Sequence, residues 1–216
     1  EGIGHQAVLP PPPTKRTLDL GVKYAPEFAC FPFKVLLGTY LEALELGADT
    51  IISSGGVGPC RAGYYTQLQA RILREQLGYD VRVITFEPPR GHLLQTYRIL
   101  RELVKVSLPQ FAAAAWLAWQ KLLALDALER ESHRVRPLEL DKGTTSRVLS
   151  EGIKAIDKAE SVREVKQVTA DFLERFRQIP KDSGYQPLKV GVIGEIYVVL
   201  EPFVNFDVVE TLGHMG

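Results

Sequence analysis

Two cysteines are the only thiols in the chain, and both stand where a loop should turn into a helix. Cys30 lies in Tyr24-Ala25-Pro26-Glu27-Phe28-Ala29-Cys30-Phe31-Pro32-Phe33-Lys34. Cys60 lies in Ser53-Ser54-Gly55-Gly56-Val57-Gly58-Pro59-Cys60-Arg61-Ala62-Gly63-Tyr64-Tyr65. A helix N-terminus offers free amides and a favourable dipole, and both stabilise an anion such as a thiolate. Gly55, Gly56 and Gly58 give a backbone that can approach a ligand closely, with amides available to it. The glycines are not a P-loop, since no Gly-Lys-Ser/Thr follows, and they lack the dinucleotide-binding spacing. The informative element is Gly-Pro-Cys-Arg, which couples a tight turn to a soft ligand and a cation. Lys34 and Arg61 flank the two cysteines as candidate site cations.

Several chemistries are open to such a pair. Free cysteine is most often a small buried hydrophobe without reactivity. Zinc wants more ligands than two thiolates, and His5, His92, His133 and His214 are scattered. A disulfide is allowed by spacing but disfavoured in a reducing compartment. An iron–sulfur cluster normally takes about four protein ligands.

The elements that must position these loops are read from periodicity. Ala7–Leu9 is a short apolar run closed by Pro10–Pro13, and Thr14 is a good N-cap for a helix through Leu20. Val35, Leu36, Tyr40, Leu41, Leu44 and Leu46 recur at helical spacing up to Gly47. Thr50–Ser53 reads as a strand. Tyr64, Leu68, Ile72, Leu73 and Leu77 mark a helix ended by Gly78, and Val81–Phe86 reads as a third strand. Strands separated by helices predict a parallel sheet, with ligands bound at the carboxyl ends of its strands.

The middle of the chain predicts helices over 93–104, 111–128, 148–159 and 162–176. Phe111–Leu125 reads as a buried helix, with Trp116 and Trp119 in the core. The segment 129–143 reads as a solvated connection, where Glu129, Glu131 and Glu139 offset Arg130, Arg134 and Arg136. Leu188–Ile193 then reads as a buried strand, Glu195 follows it as a candidate functional carboxylate, and Pro202–Leu212 as a helix. The fold class expected is therefore α/β: a parallel-sheet unit over 1–90, a helical region over 91–186, and the start of a second α/β unit over 187–216.

The 216 residues suffice for a sizeable core, and 26 basic residues match 26 acidic ones. That balance argues against nucleic acid and anionic membrane surfaces as partners. Gln120 and Lys121 interrupt the most apolar stretch, so no uninterrupted run is long enough to span a bilayer. The absence of a signal-peptide pattern and the two lone thiols predict a reducing, cytoplasmic location. The chain opens at Glu1 without an initiator methionine and closes at Gly216 as a helix should hand over to a strand, which suggests a longer parent polypeptide.

The same residues carry a family resemblance. Glu27-Phe28-Ala29-Cys30-Phe31-Pro32-Phe33-Lys34 with Gly38 resembles the first cysteine motif of the 2-hydroxyacyl-CoA dehydratase family, in its CoA-substrate-specific enzyme activase-related subgroup. Gly55 to Tyr65 is similar to the second cysteine motif. Val190-Gly191-Val192-Ile193-Gly194-Glu195-Ile196-Tyr197, with Pro202, Phe203 and Asn205, resembles a later Gly-Glu-Ile block. The resemblance implies flavodoxin-like α/β units, and a [4Fe–4S] cluster with Cys30 and Cys60 among its ligands. It implies an ATP-dependent activase as electron donor and a CoA thioester as substrate, and it is compatible with homo- or hetero-oligomers. Arg61 and the Gly55–Gly58 amides become candidates for hydrogen bonds to sulfide or to a thioester oxygen, and Glu195 becomes a wall of the active cleft. A further cysteine of the family falls after the Gly-Glu-Ile block, so this sequence contains two of the implied ligands. An electron-transfer or scaffold subunit, or an α/β binding domain with structural cysteines, stands as the alternative.

Overall fold

The structure is a computed structural model that describes residues 4–54, 60–86, 101 and 105–216. It divides into two compact units, Glu1–Ser107 and Leu108–Gly216. The fold is broadly α/β: rich in helix, with one small parallel sheet among the described residues.

In the first unit, helix α1 spans Lys15–Tyr24. Its entry is fixed by the Thr14 amide, which donates to Thr17 Oγ1 at 2.9 Å. Helix α2 spans Phe31–Glu45 and follows Cys30, with Pro32 in its first turn, where a missing amide costs nothing. The two helices cross at backbone contact. A Cβ on Gly21 would lie 1.7 Å from the Lys34 carbonyl oxygen, and one on Gly38 would lie 1.8 Å from the Thr17 carbonyl oxygen. Glycine at both positions is what permits the approach, with Cα–H groups facing carbonyls. The crossing is pinned by the buried carboxylate of Glu42. It accepts from Thr17 Oγ1 at 2.8 Å and from Arg16 Nη1 at 3.0 Å, while Arg16 Nη2 reaches Glu45 at 2.6 Å.

Strands β1 (Thr50–Ser54) and β2 (Arg82–Phe86) pair in parallel, with Ile51 opposite Val83 and Ile52 opposite Ile84. Between them run a 3-10 turn over Arg61–Tyr64, helix α3 over Tyr65–Arg71, and a π-helical turn over Ile72–Gln76. Gly47 and Gly78, both at positive φ, end α2 and the π turn where the sequence places stops. Phe33, Leu37, Leu41, Ile51, Ile72, Leu73 and Val81 form the core. Ala7–Leu9 forms no strand. Three residues are short for a strand, and the four prolines after them carry no backbone donor to extend a ladder. The helix expected over 93–104 lies, apart from Arg101, outside the described residues.

The second unit is helical. Helix α4 spans Leu108–Val135, α5 spans Thr144–Lys158 and α6 spans Val162–Gln178. Their shared core includes Leu128, Val135, Val148, Ile156, Val165 and Phe176. Three short helices follow: α7 (Ile196–Leu200), α8 (Pro202–Asn205) and α9 (Val208–Met215). Phe206 and Asp207 adopt left-handed backbone (φ 58° and 52°), which splits the single helix expected over 202–212.

Three further expectations are corrected. First, α4 is not a buried helix. Trp116 is 57% and Trp119 52% exposed, and Leu122 and Leu123 are exposed as well. By length and composition alone, Leu108–Leu138 is also apolar enough to cross a membrane, with a mean hydropathy of 1.2 in its most apolar window. Second, Leu188–Ile193 is no strand in the described structure. It has no ladder partner among the described residues, and Leu188 and Ile193 are 84% and 96% exposed. A lone strand leaves both its backbone groups and its apolar faces in water. Third, the solvated connection over 129–143 is largely the last turns of α4 and a 3-10 turn over Arg136–Leu138, and Arg136 and Glu139 are buried.

That corner carries a polar network. Glu139 accepts from the Gly143 and Thr145 amides at 2.8 and 2.7 Å, capping the start of α5. His214 Nδ1 lies 3.6 Å from Glu139 Oε1, and its Nε2 lies 3.4 Å from Glu210 Oε1. Ser146 Oγ donates to Glu210 at 2.5 Å and accepts from Arg136 Nε at 3.3 Å. Helix α9 is thereby tied to the α4–α5 corner. Burial pushes the Glu139 carboxyl up, but hydrogen bonds from Thr145 and Gly143, together with His214, outweigh it and hold it below its ordinary value of 4.5.

Two outcomes follow from these contacts. Gly38→Ala should destabilise the first unit by about 3 kcal/mol, because the new methyl meets backbone rather than a side chain that can move. Gly47→Ala, with nothing within 4 Å, should cost only the backbone strain of about 1–2 kcal/mol. Thermal and denaturant unfolding followed by circular dichroism compares the two, and equal losses would contradict the close crossing. The depressed Glu139 carboxyl stabilises the fold above 4.5, and that contribution is lost as pH falls through its folded value. Glu139→Gln should therefore lower stability at pH 7 by about 1–3 kcal/mol. The gap to wild type should close in acid, as read from melting temperature against pH.

Candidate functional site

Cys30 is the N-cap of α2, with extended backbone (φ −67°, ψ 159°) and a half-buried side chain. The turn before it is closed by the Ala29 amide on the Pro26 carbonyl at 3.0 Å. Lys34 Nζ donates to the Glu27 carbonyl at 3.1 Å. Lys34 thus holds the loop that presents the cysteine.

Cys60 is the N-cap of the 3-10 turn that leads into α3, and it is exposed. Its sulfur accepts weakly from the Ala62 amide at 3.5 Å, and the Gly63 amide bonds the Cys60 carbonyl at 3.3 Å. Arg61 opens the turn with its side chain exposed. Gly55, Gly56 and Gly58 lie outside the described residues.

One residue connects the two turns. Tyr65, the first residue of α3, places its hydroxyl in hydrogen-bond contact with Cys30 Sγ. Its ring meets Phe33 of α2 edge-on, with centroids 5.2 Å apart and planes at 86°. One turn further on, Gln69 Nε2 donates to the Phe33 carbonyl at 3.4 Å. The element entered through Cys60 therefore packs against the helix entered through Cys30. Tyr40 adds a second tie, donating to Ser53 Oγ of β1 at 2.9 Å. Burial pushes the Tyr40 phenol up, against the opposing pull of that hydrogen bond.

Glu195 sits in the second unit as the N-cap of α7, where Oε2 accepts from the Val198 amide at 3.0 Å. Burial, then the charges of Glu201 and Glu195, push the neighbouring Tyr197 phenol up to about 12. Glu195 is exposed and serves as a capping carboxylate here.

Among the described residues, no group of three His, Cys, Asp or Glu side chains is placed to hold a metal ion. The donor set is thus two thiols, the right soft chemistry for iron–sulfur or zinc but half the usual ligand number. Sequence reading passed over Tyr65. The signal that could have found it is the Tyr64–Tyr65 doublet placed at the first turn after Cys60. Compared with protein-family models, with curated proteins and with solved structures, the chain has no match.

The different settings of the two thiols have a direct readout. In the native protein, Cys60 should react with iodoacetamide about tenfold faster than Cys30, which is half-buried against Tyr65. In denaturant the two rates should converge. Peptide mass spectrometry over a time course measures both, and faster native labelling of Cys30 would contradict this arrangement.

Proposed function

We propose that the chain is an iron–sulfur protein of the 2-hydroxyacyl-CoA dehydratase type. In this reading it works in the cytoplasm, receives an electron from an ATP-dependent activase and acts on a CoA thioester. The observation that supports it is the Cys30–Tyr65 contact, which joins the two cysteine-bearing turns through a single side chain. Thiols at the N-caps of two helical turns suit an anionic cofactor.

On this proposal Cys30 and Cys60 hold two corners of a [4Fe–4S] cluster, and two further donors come from elsewhere. The cluster, when bound, supplies one-electron chemistry. The protein's own part is to fix the ligands. Lys34 holds the Cys30 loop, Tyr65 orients the Cys30 sulfur, and the Ala62 amide faces Cys60. Arg61 and the Gly55–Gly58 amides are the proposed hydrogen-bond donors to sulfide or to a thioester oxygen.

Anaerobic purification of the full-length polypeptide, followed by reconstitution with iron and sulfide, tests this. The expected product is brown, carries iron and sulfide in equal amounts, and shows an EPR signal on reduction. Cys30→Ser and Cys60→Ser should each lose most of the iron. A colourless, iron-free protein would overturn the proposal, as would two serine variants that retain wild-type iron.

A further inference from the structure

The first unit also holds a cavity that the cysteine chemistry does not use. It runs along the flank of α3 beside β2, has a volume of about 340 Å³, and is lined by Tyr64, Thr66, Arg71, Arg74, Val83 and Thr85 among others. That size falls within the roughly 300–1,000 Å³ of small-ligand sites. Val83 and Thr85 lie on one strand at a spacing of two, so both face the same side of the sheet.

Two features of the lining point to the chemistry of an occupant. The first is positive charge. Arg74 is steadied by its Nε, which donates to the Val81 carbonyl at 2.9 Å and leaves the other two nitrogens of its fork for a ligand. Arg71 meets Glu75 only in an exposed pair at 3.3 Å, which costs little to rearrange. The second is a flat surface: Tyr64 is an exposed aromatic ring at the mouth.

We propose that this cavity binds a nucleotide. The base stacks on Tyr64, and the phosphate lies against the guanidinium groups of Arg71 and Arg74. Guanidinium forks match phosphate oxygens in geometry as well as charge, and base–aromatic stacking tolerates any base. The lining comes from the turn that Cys60 caps (Tyr64), from α3, from the π turn (Arg74) and from β2, and the ligand needs no metal at the cysteines.

Calorimetric titration of the iron-free, full-length protein with AMP, and separately with inorganic pyrophosphate, tests it. Both should bind saturably. Arg71→Ala and Arg74→Met should each weaken both ligands about tenfold. Tyr64→Ala should weaken AMP about tenfold and leave pyrophosphate unchanged, which separates ring from phosphate recognition. Arg71 is exposed, so its variant keeps the test meaningful if Arg74→Met fails to fold. The proposal is overturned by the absence of saturable heat with both ligands, or by binding that Arg71→Ala leaves unchanged. It is equally overturned if Tyr64→Ala leaves AMP affinity unchanged. Iron content of the cysteine variants is a separate measurement, so failure here leaves the cluster proposal standing or falling by itself.

Discussion

The first unit depends on the contact between the backbones of α1 and α2. Gly21 and Gly38 each face a carbonyl of the other helix, at separations that any Cβ would block. Backbone contact of this kind is set by geometry alone, so it fixes the angle and register of the two helices together. Glu42, one turn beyond Gly38, then locks the register through Thr17 and Arg16. Burial of that carboxylate is tolerable because both of its oxygens are bonded, one of them to a guanidinium. With the register of α2 fixed, its N-terminus is fixed too, and so are Cys30 and Phe33. The Phe33 ring and carbonyl in turn define where α3 can lie, through Tyr65 and Gln69. The position of the second cysteine turn is thus inherited from a glycine pair more than twenty residues away along the chain.

The two thiols that result are not equivalent, although their sequences look matched. Both cap a helical turn, yet one caps fifteen residues of α-helix and the other a four-residue 3-10 turn. The longer helix brings the larger aligned dipole and a half-buried setting. The shorter turn brings exposure and a single long amide contact. Cys30 is therefore the anchored member of the pair, and Cys60 the one that can adjust to whatever it meets.

Local signals in the sequence located most of the first unit. Thr14, Gly47 and Gly78 mark boundaries by capping and by positive φ, and the structure puts element ends at each. What sequence could not show was pairing at a distance. Tyr65 contacts a sulfur thirty-five residues away, and Ser146 bonds Glu210 across sixty-four. Arg136 and Glu139 look like a solvated charge run because their partners, Ser146 and His214, belong to other elements. Alternation without a partner misleads in the opposite direction. Leu188–Ile193 has a strand's pattern, but a strand exists only when something pairs with it. A left-handed pair at Phe206–Asp207 is equally invisible, since neither residue is the glycine that normally announces it.

Helix α4 shows how far an apolar pattern alone can go. Its buried residues, Ala124, Leu128, Ser132 and Val135, recur at spacings of four, four and three, and they form one stripe against α5 and α6. That stripe occupies the C-terminal half. The N-terminal half is more apolar in composition, yet Trp116 and Trp119 are exposed, and its contact with the core runs through half-buried Leu117. Composition thus overstates burial there. A helix that is apolar on many sides leaves its preferred face weakly marked in the sequence. The C-terminal half carries charges at Asp126, Glu129, Arg130 and Arg134, and these leave one face for packing. Polar residues do the orienting here, because each charge excludes one side of the helix from the core; even in the N-terminal half it is Lys121 whose Nζ reaches across to the Asp157 carbonyl at 2.7 Å.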